Sequence, residues 1–507
     1  AARAIESEPV RADGDSFANS QLDFCPFPEL RLAAVAGCGL KSVGPRAADS
    51  GMATRVQRAR KPTIPTCSAA SLLREFAPAF TRPTFARAVV LALASILTVG
   101  RRSVQNLLRT VGALAPGHPS SYHRVFSRRA WSLWPLGRVL TGYILRNCVP
   151  DGPVLVAGDD TVDEHRGDRV YGKGCHRDAV RSSHQYTAYR WGHKWVVLCV
   201  LVEFPFASRP WALPILVALY RSPKVDEAEG RRHKTCPDLM RQLLASLVRA
   251  FPARKFVFTG DGGYGTHDLA DFASRHADRL TLVSRFYPKA ALYGPPPPRT
   301  GRAGRPRKRG RRLPSPNQVV RRARRQRLSV SWYGGQRRAV EIVTSTAHWW
   351  RGGEGLVLVR WVYVHDLTGT HRDEYFFCTD PAMVAAEVVE AYTGRWSIET
   401  TFHEMRRHLG LETTSVRTKA SVLRTAPTLF GLYSVVALMF AGLREAERQP
   451  AVRWRGKATV TFSDAITAVR RRLWRDWVFS QPAQRCALDQ IPRPIRTLLL
   501  QGLAPAA

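Results

Sequence analysis

Two short apolar runs in this chain end on acid. "PVLVAGDD" closes at Asp159-Asp160, and "KFVFTGD" closes at Asp261. Short Val- and Phe-rich runs bounded by Gly and Asp read as strands. Further runs, "KWVVLCVLVEF" from 194, "WALPILVALY" from 211 and "RLTLVSRF" at 279–286, extend the pattern, with a helix expected over 238–250. Three strands followed by alternating helix and strand describe an α/β fold, a mixed sheet covered by helices. Carboxylates at strand ends in such a sheet are held at a rigid rim, a common place for a site.

The flanking sequence divides the chain further. Residues 1–65 lack periodicity and read as a disordered tail, with Met52 a plausible true start. Helical patterning over 66–150 includes two amphipathic stretches around a Gly-Pro turn, the form of a helical DNA-binding domain. The α/β core is expected over 151–286 and again over 380–445. Between them, 287–379 reads as a basic loop plus a small β insertion, and 446–507 as a C-terminal helical region.

Charge narrows the partner. The 77 Lys and Arg against 40 Asp and Glu leave +37, which points to a polyanion and most often to nucleic acid. The segment 295–327 concentrates this charge without a single acidic residue and is expected to stay unfolded until a polyanion binds. Within it, "GRPRKRGRR", with Arg305, Arg307 and Lys308, has the form of an AT-hook. Lys173 lies in a second Gly-rich basic stretch, 165–186, suited to tracking phosphates. The scattered cysteines form no CxxC pair, and Cys175-His176 with His184 fits no zinc template. The uncharged run 426–443 has Arg-rich flanks and small polar members, so it reads as a buried helix, not a membrane span.

A last feature joins the strand-end acids. In "EAYTGRWSIETTFHEMRRHLGLE", residues 390–412, Tyr392, Arg395, Glu399 and Arg406 fall within about 60° of arc on one helical face. Ile398, Thr401 and Met405 lie elsewhere on the wheel and are free to pack. One helix is expected from about Pro381 to His408. Three hard oxygen donors, Asp160, Asp261 and Glu399, suit Mg²⁺ or Mn²⁺, and such a cluster can hold two ions.

On these residues the chain resembles a DDE-superfamily transposase of bacterial insertion sequences, in the branch marked by a Tyr-x2-Arg-x3-Glu-x6-Lys signature. Here the signature reads Tyr392, Arg395, Glu399, Arg406, with Arg in place of Lys. "DDT" at 159–161, "GDGGYG" at 260–265 and the signature helix stand in family order over roughly 66–445. The resemblance implies an RNase H-like core and a divalent-metal site of two aspartates and a glutamate. It also implies cut-and-paste transposition on double-stranded DNA, both terminal inverted repeats and target. The aspartate directly before Thr is the family's ligand, which maps to Asp160. Strand alternation sends Asp159 and Asp160 to opposite faces, so only one of them can point at the metals. Arg395 and Arg406 are expected to hold phosphates of the transposon end, and Tyr392 to bond a phosphate or stack on a base. Trp332, Trp349, Trp350 and Trp361 in the insertion are candidates for stacking on a flipped base, or core residues. The implied protein works in the cytoplasm, at the nucleoid and off the membrane, as a homodimer assembled on DNA. Two competing readings are a transposase-derived DNA binder that no longer cuts and an RNase H-like host nuclease.

Overall fold

The computed structural model describes residues 69–178, 182, 185–298, 307–449, 455, 457, 459–479 and 482–505. The tail 1–65, Arg305 and His184 lie outside them. The chain opens with five helices, α1 (Ala69–Arg74), α2 (Arg82–Leu97), α3 (Val104–Val111), α4 (Pro119–Ser127) and α5 (Leu133–Cys148). Pro stands in the first turn of α2 and of α4, where its missing N–H costs nothing, and Ser103 caps α3 by accepting from Asn106 N.

Four strands follow, β1 (Val154–Glu164), β2 (Gly174–Arg177), β3 (Tyr189–Val202) and β4 (Trp211–Tyr220). After α6 (Pro223–Ala228) and α7 (Cys236–Ala250) come β5 (Phe256–Gly260), α8 (His267–Arg275) and β6 (Leu280–Arg285). β1 pairs antiparallel with β3, which pairs antiparallel with β4; β5 lies parallel to β1, and β6 parallel to β5. The spatial order β4-β3-β1-β5-β6, three antiparallel strands and then two parallel ones, is the RNase H-like core expected from the sequence. Gly158 lets α7 approach: a Cβ there would lie 2.5 Å from both Met240 Cε and a Phe258 ring carbon.

The insertion is not a separate β unit. Its elements are β7 (Leu292–Tyr293), α9 (Pro316–Val320), β8 (Gln326–Ser331), β9 (Arg337–Arg351), β10 (Gly355–Asp366) and β11 (Glu374–Cys378). β11 pairs with β6, so the long β10–β9 hairpin continues the core into one sheet of eleven strands among the described residues. The basic segment is likewise not wholly unstructured. A capping box at Ser315 and Gln318 starts α9, and 326–327 enter β8. Trp332, Trp349 and Trp361 are buried in the core and not free to meet a base, while Trp350 is half-buried.

The expected signature helix is two helices, α10 (Ala385–Gly394) and α11 (Ser397–Leu409). Between them Ile398 N bonds Arg395 O and Glu399 N bonds Trp396 O, the i→i−3 pattern of a 3₁₀ turn. That turn advances about 120° per residue instead of 100°, which rotates the second half of the polar row against the first. α10 then packs on β8 and β11, and α11 on β4 and β1. The chain closes with α12 (Lys419–Ala441), α13 (Glu445–Arg448), α14 (Phe462–Leu473), α15 (Pro482–Asp489) and α16 (Arg493–Gly502). α12 is long and apolar enough to cross a membrane, yet most of it is buried against β4, α14 and α11. Its contacts also draw the N-terminal helices into the main hydrophobic core, which runs without a break from Leu72 to Trp477.

Candidate active site

The site follows from strand register. In the parallel pair β1/β5, Gly158 stands opposite Gly260, and both turn toward the ring of Phe258, the one beside Met240 of α7, the other beside Tyr264. The next residue on each strand faces the other way, which puts Asp159 and Asp261 side by side on the face that α11 covers. Arg395 bridges Asp159 on that face and Glu399 on the helix. Its Nη1 lies 2.7 Å from Asp159 Oδ2 and its Nη2 3.1 Å from Glu399 Oε1. Asp261 sits within their field, and Gly263 N donates to its Oδ1 at 2.9 Å.

Asp160 points to the opposite side. Lys194 Nζ on β3 lies 2.9 Å from its Oδ2, and the Tyr264 hydroxyl donates to its Oδ1 at 3.2 Å. Of the three carboxylates expected together, the structure therefore brings Asp261 and Glu399 to one face. Asp160 is turned away from them and its neighbour Asp159 takes its place. The DDT motif located the pair of aspartates; parity along β1 was the available signal, but it has meaning only once β1 is registered against β5.

The electrostatics mark Asp159 as the strained member. Burial pushes its carboxyl up to about 7, and the charges of Asp261 and Asp160 add to this against the pull of Arg395. Burial alone would lower the Arg395 guanidinium, but Asp159, Tyr392, Glu399 and Asp261 together hold it well above its usual value. Three carboxylates thus face one guanidinium, and the local balance lacks positive charge. An all-oxygen donor set with surplus negative charge fits a hard divalent cation.

The remaining signature residues have other tasks. Tyr392 is 1% exposed, its ring 4.3 Å from that of Phe376, with the Arg285 and Arg395 guanidiniums over it. It is a core support, not a phosphate or base contact. Arg406 donates to Thr161 Oγ1, to Val162 O at 3.2 Å and to Glu412 Oε1 at 3.1 Å, which staples α11 to β1 and commits its Nε and Nη2 to the fold. Arg307 and Lys308 are exposed. Lys173 lies 5.4 Å over the Trp191 ring and lines an open groove of about 650 Å³ with Arg166, Arg190, Tyr189 and Trp191. Tyr189 and Trp191 are more than half exposed there, a feature that sequence reasoning missed because β3 looks uniformly apolar only after Lys194.

The sequence matches the family described as DDE superfamily endonuclease over residues 75–339, more than half of the chain. The chain belongs to the DDE superfamily endonucleases. The matched span of this DDE endonuclease carries Asp159, Asp160 and Asp261 and ends before Glu399. No curated protein matches it. Among solved structures it is similar to a piggyBac transposase in a synaptic complex with hairpin DNA, at 10% identity and a TM-score of 0.36, over 84% of this chain and 77% of that one. A likeness so distant has no bearing on function.

Proposed function

We propose that this DDE endonuclease is a transposase, which binds the terminal inverted repeats of its element and cuts and joins DNA with divalent metal held by Asp159, Asp261 and Glu399. The observation that carries this reading is the register of β1 on β5. It sets two aspartates side by side beneath a helix that supplies a glutamate, the donor set of metal-dependent phosphoryl transfer. Mg²⁺ or Mn²⁺ bound there, as one ion or two, would supply positive charge at the attacking and leaving oxygens of the phosphodiester. Water attacks phosphorus in line to free a 3′-hydroxyl, and that hydroxyl attacks the target strand.

The protein's own residues orient these parts. Arg395 holds Asp159 and Glu399 at a fixed spacing, and the Tyr392 ring beneath it fixes the guanidinium in turn. Lys194 balances the charge of Asp160 and the Tyr264 hydroxyl donates to its other oxygen, so it does not compete for the ion. Exposed cations at Arg307 and Lys308, together with Arg305 and the half-buried Lys173, would track phosphates, and Tyr189 and Trp191 offer exposed rings to unpaired bases. In this reading the working form is a homodimer on the paired ends, at the nucleoid.

The test uses purified full-length protein and a duplex carrying the inverted repeats that flank its gene, with and without Mg²⁺. Wild type should nick at the repeat end, and Glu399→Gln should bind equally and not cut. Binding without cleavage by wild type, in Mg²⁺ and Mn²⁺ alike, would favour the DNA binder that no longer cuts. Cleavage of branched DNA without preference for the repeats would favour a host nuclease.

A further inference from the structure

Beyond the catalytic acids, β1 carries a second convergence of ligand atoms on the same face. Asp163 lies four residues past Asp159, about 13 Å along the strand. His165 is two residues further on, so its side chain alternates back to the side of Asp163. His193 stands directly across from Asp163 on β3. Asp163 Oδ2 is 3.4 Å from His165 Nε2, and Asp163 Oδ1 is 3.5 Å from His193 Nδ1. One donor atom of each residue lies within 4.8 Å of those of the other two.

All three side chains are buried, Asp163 and His193 at 0% exposure and His165, at the edge of the groove, at 7%. Asp163 Oδ1 accepts from the backbone N of His193 at 3.2 Å, while Asp163 Oδ2, His165 Nε2 and His193 Nδ1 are buried without a well-aligned hydrogen bond. Buried polar atoms are rarely left so, and three that converge on one point ask for a common occupant. The tautomer of His193 agrees. Its Nε2 lies 2.8 Å from the Tyr171 carbonyl, which can only accept, so the proton sits on Nε2 and Nδ1 presents a lone pair. That is the arrangement of a metal-binding imidazole whose other nitrogen is fixed by a carbonyl.

We propose that Asp163, His165 and His193 bind one first-row divalent transition ion, Zn²⁺ by its ligand chemistry, at a structural site distinct from the catalytic carboxylates. Neighbouring ligand atoms of a tetrahedral site with bonds of about 2.0 Å are about 3.3 Å apart, and each imidazole nitrogen stands near that distance from one oxygen of the Asp163 carboxylate, His165 Nε2 from Oδ2 and His193 Nδ1 from Oδ1. Two imidazoles and one carboxylate favour Zn²⁺ over Mg²⁺, which prefers an all-oxygen shell. His165 also lines the groove that holds Lys173, Tyr189 and Trp191, which gives an ion and its water a way in. The ion ties the end of β1 to β3 and, through the Tyr171 carbonyl on His193, to the segment that forms one wall of that groove.

The test is metal content of the full-length protein, purified without a metal resin, stripped with chelator and reloaded with Zn²⁺ or Co²⁺ alone. Wild type should retain one Zn²⁺ per chain through gel filtration in excess Mg²⁺, and its Co²⁺ form should show the visible absorption of a tetrahedral N/O site. His165→Gln and Asp163→Asn should lose both, while Glu399→Gln keeps both. Should Asp163→Asn fail to fold, the Co²⁺ spectrum of wild type against His165→Gln, at the edge of the site, decides. Wild type that holds no Zn²⁺ and shows no Co²⁺ spectrum overturns the proposal. Loss of the ion in Glu399→Gln overturns it as well, because the ion would then belong to the catalytic acids.

Discussion

Replacing Asp159 with Asn should stabilise the metal-free protein at pH 8, while the same change at Asp160 should weaken it. The Asp159 carboxyl rises from its ordinary 3.8 to about 7. A rise of about three units at 1.36 kcal/mol each sets a ceiling of about 4 kcal/mol on the cost of ionising it in the fold. The side chain is 16% exposed, so solvent screens little of this, and we expect a gain of about 2 to 4 kcal/mol for Asp159→Asn. The sign follows from proton binding: between pH 4 and 7 the folded protein holds a proton that the unfolded chain has lost. Stability therefore falls as pH rises through that window, and Asn escapes the loss. The gap between variant and wild type should be full at pH 8 and less than half as large at pH 5. Asp160→Asn instead gives up a partly exposed ion pair with Lys194, both side chains about a quarter accessible, and weakens the bond from Tyr264, a loss of about 1 kcal/mol. Urea denaturation in chelator at both pH values measures all three proteins. Added Mn²⁺ should then stabilise wild type and Asp160→Asn but not Asp159→Asn. A destabilised Asp159→Asn at pH 8 would refute the charge-poor pocket, and loss of the Mn²⁺ effect in Asp160→Asn alone would return the ligand role to Asp160.

Other expectations concern the cations. Arg307→Gln with Lys308→Gln should flatten the dependence of log K on log[salt] by about 0.9 per charge removed, with cleavage chemistry intact. Arg406→Met should leave that slope unchanged and cost about 1 to 3 kcal/mol in urea denaturation, because its bonds hold α11 to β1. Arg470, fully buried, donates to the carbonyls of Ile96, Thr98, His408 and Pro505. Arg470→Met should cost about 3 kcal/mol or more, read as a fall in Tm, since it orphans those acceptors between the N- and C-terminal helices. A Tm within a degree of wild type would show that water takes their place.

Local pattern in the chain carried much of this protein's architecture. The short apolar runs located β1, β3, β4, β5 and β6, the length and flanks of the 426–443 run marked α12 as buried, and Ile398, Thr401 and Met405 were legible as packing residues. Each is a property of neighbours along the chain, where periodicity and turn chemistry act. Tertiary structure alone decided which side chains meet. Parity along β1 separates Asp159 from Asp160, but only the pairing of Gly158 with Gly260 says which of them shares a face with Asp261. One 3₁₀ turn at Arg395 split a polar row that looked continuous on an ideal wheel, sending Tyr392 into the core. His193 joins Asp163 and His165 only because β3 lies on β1 in that register. Register and helix phase are set by burial summed over the whole sheet, and no local window of sequence contains that sum.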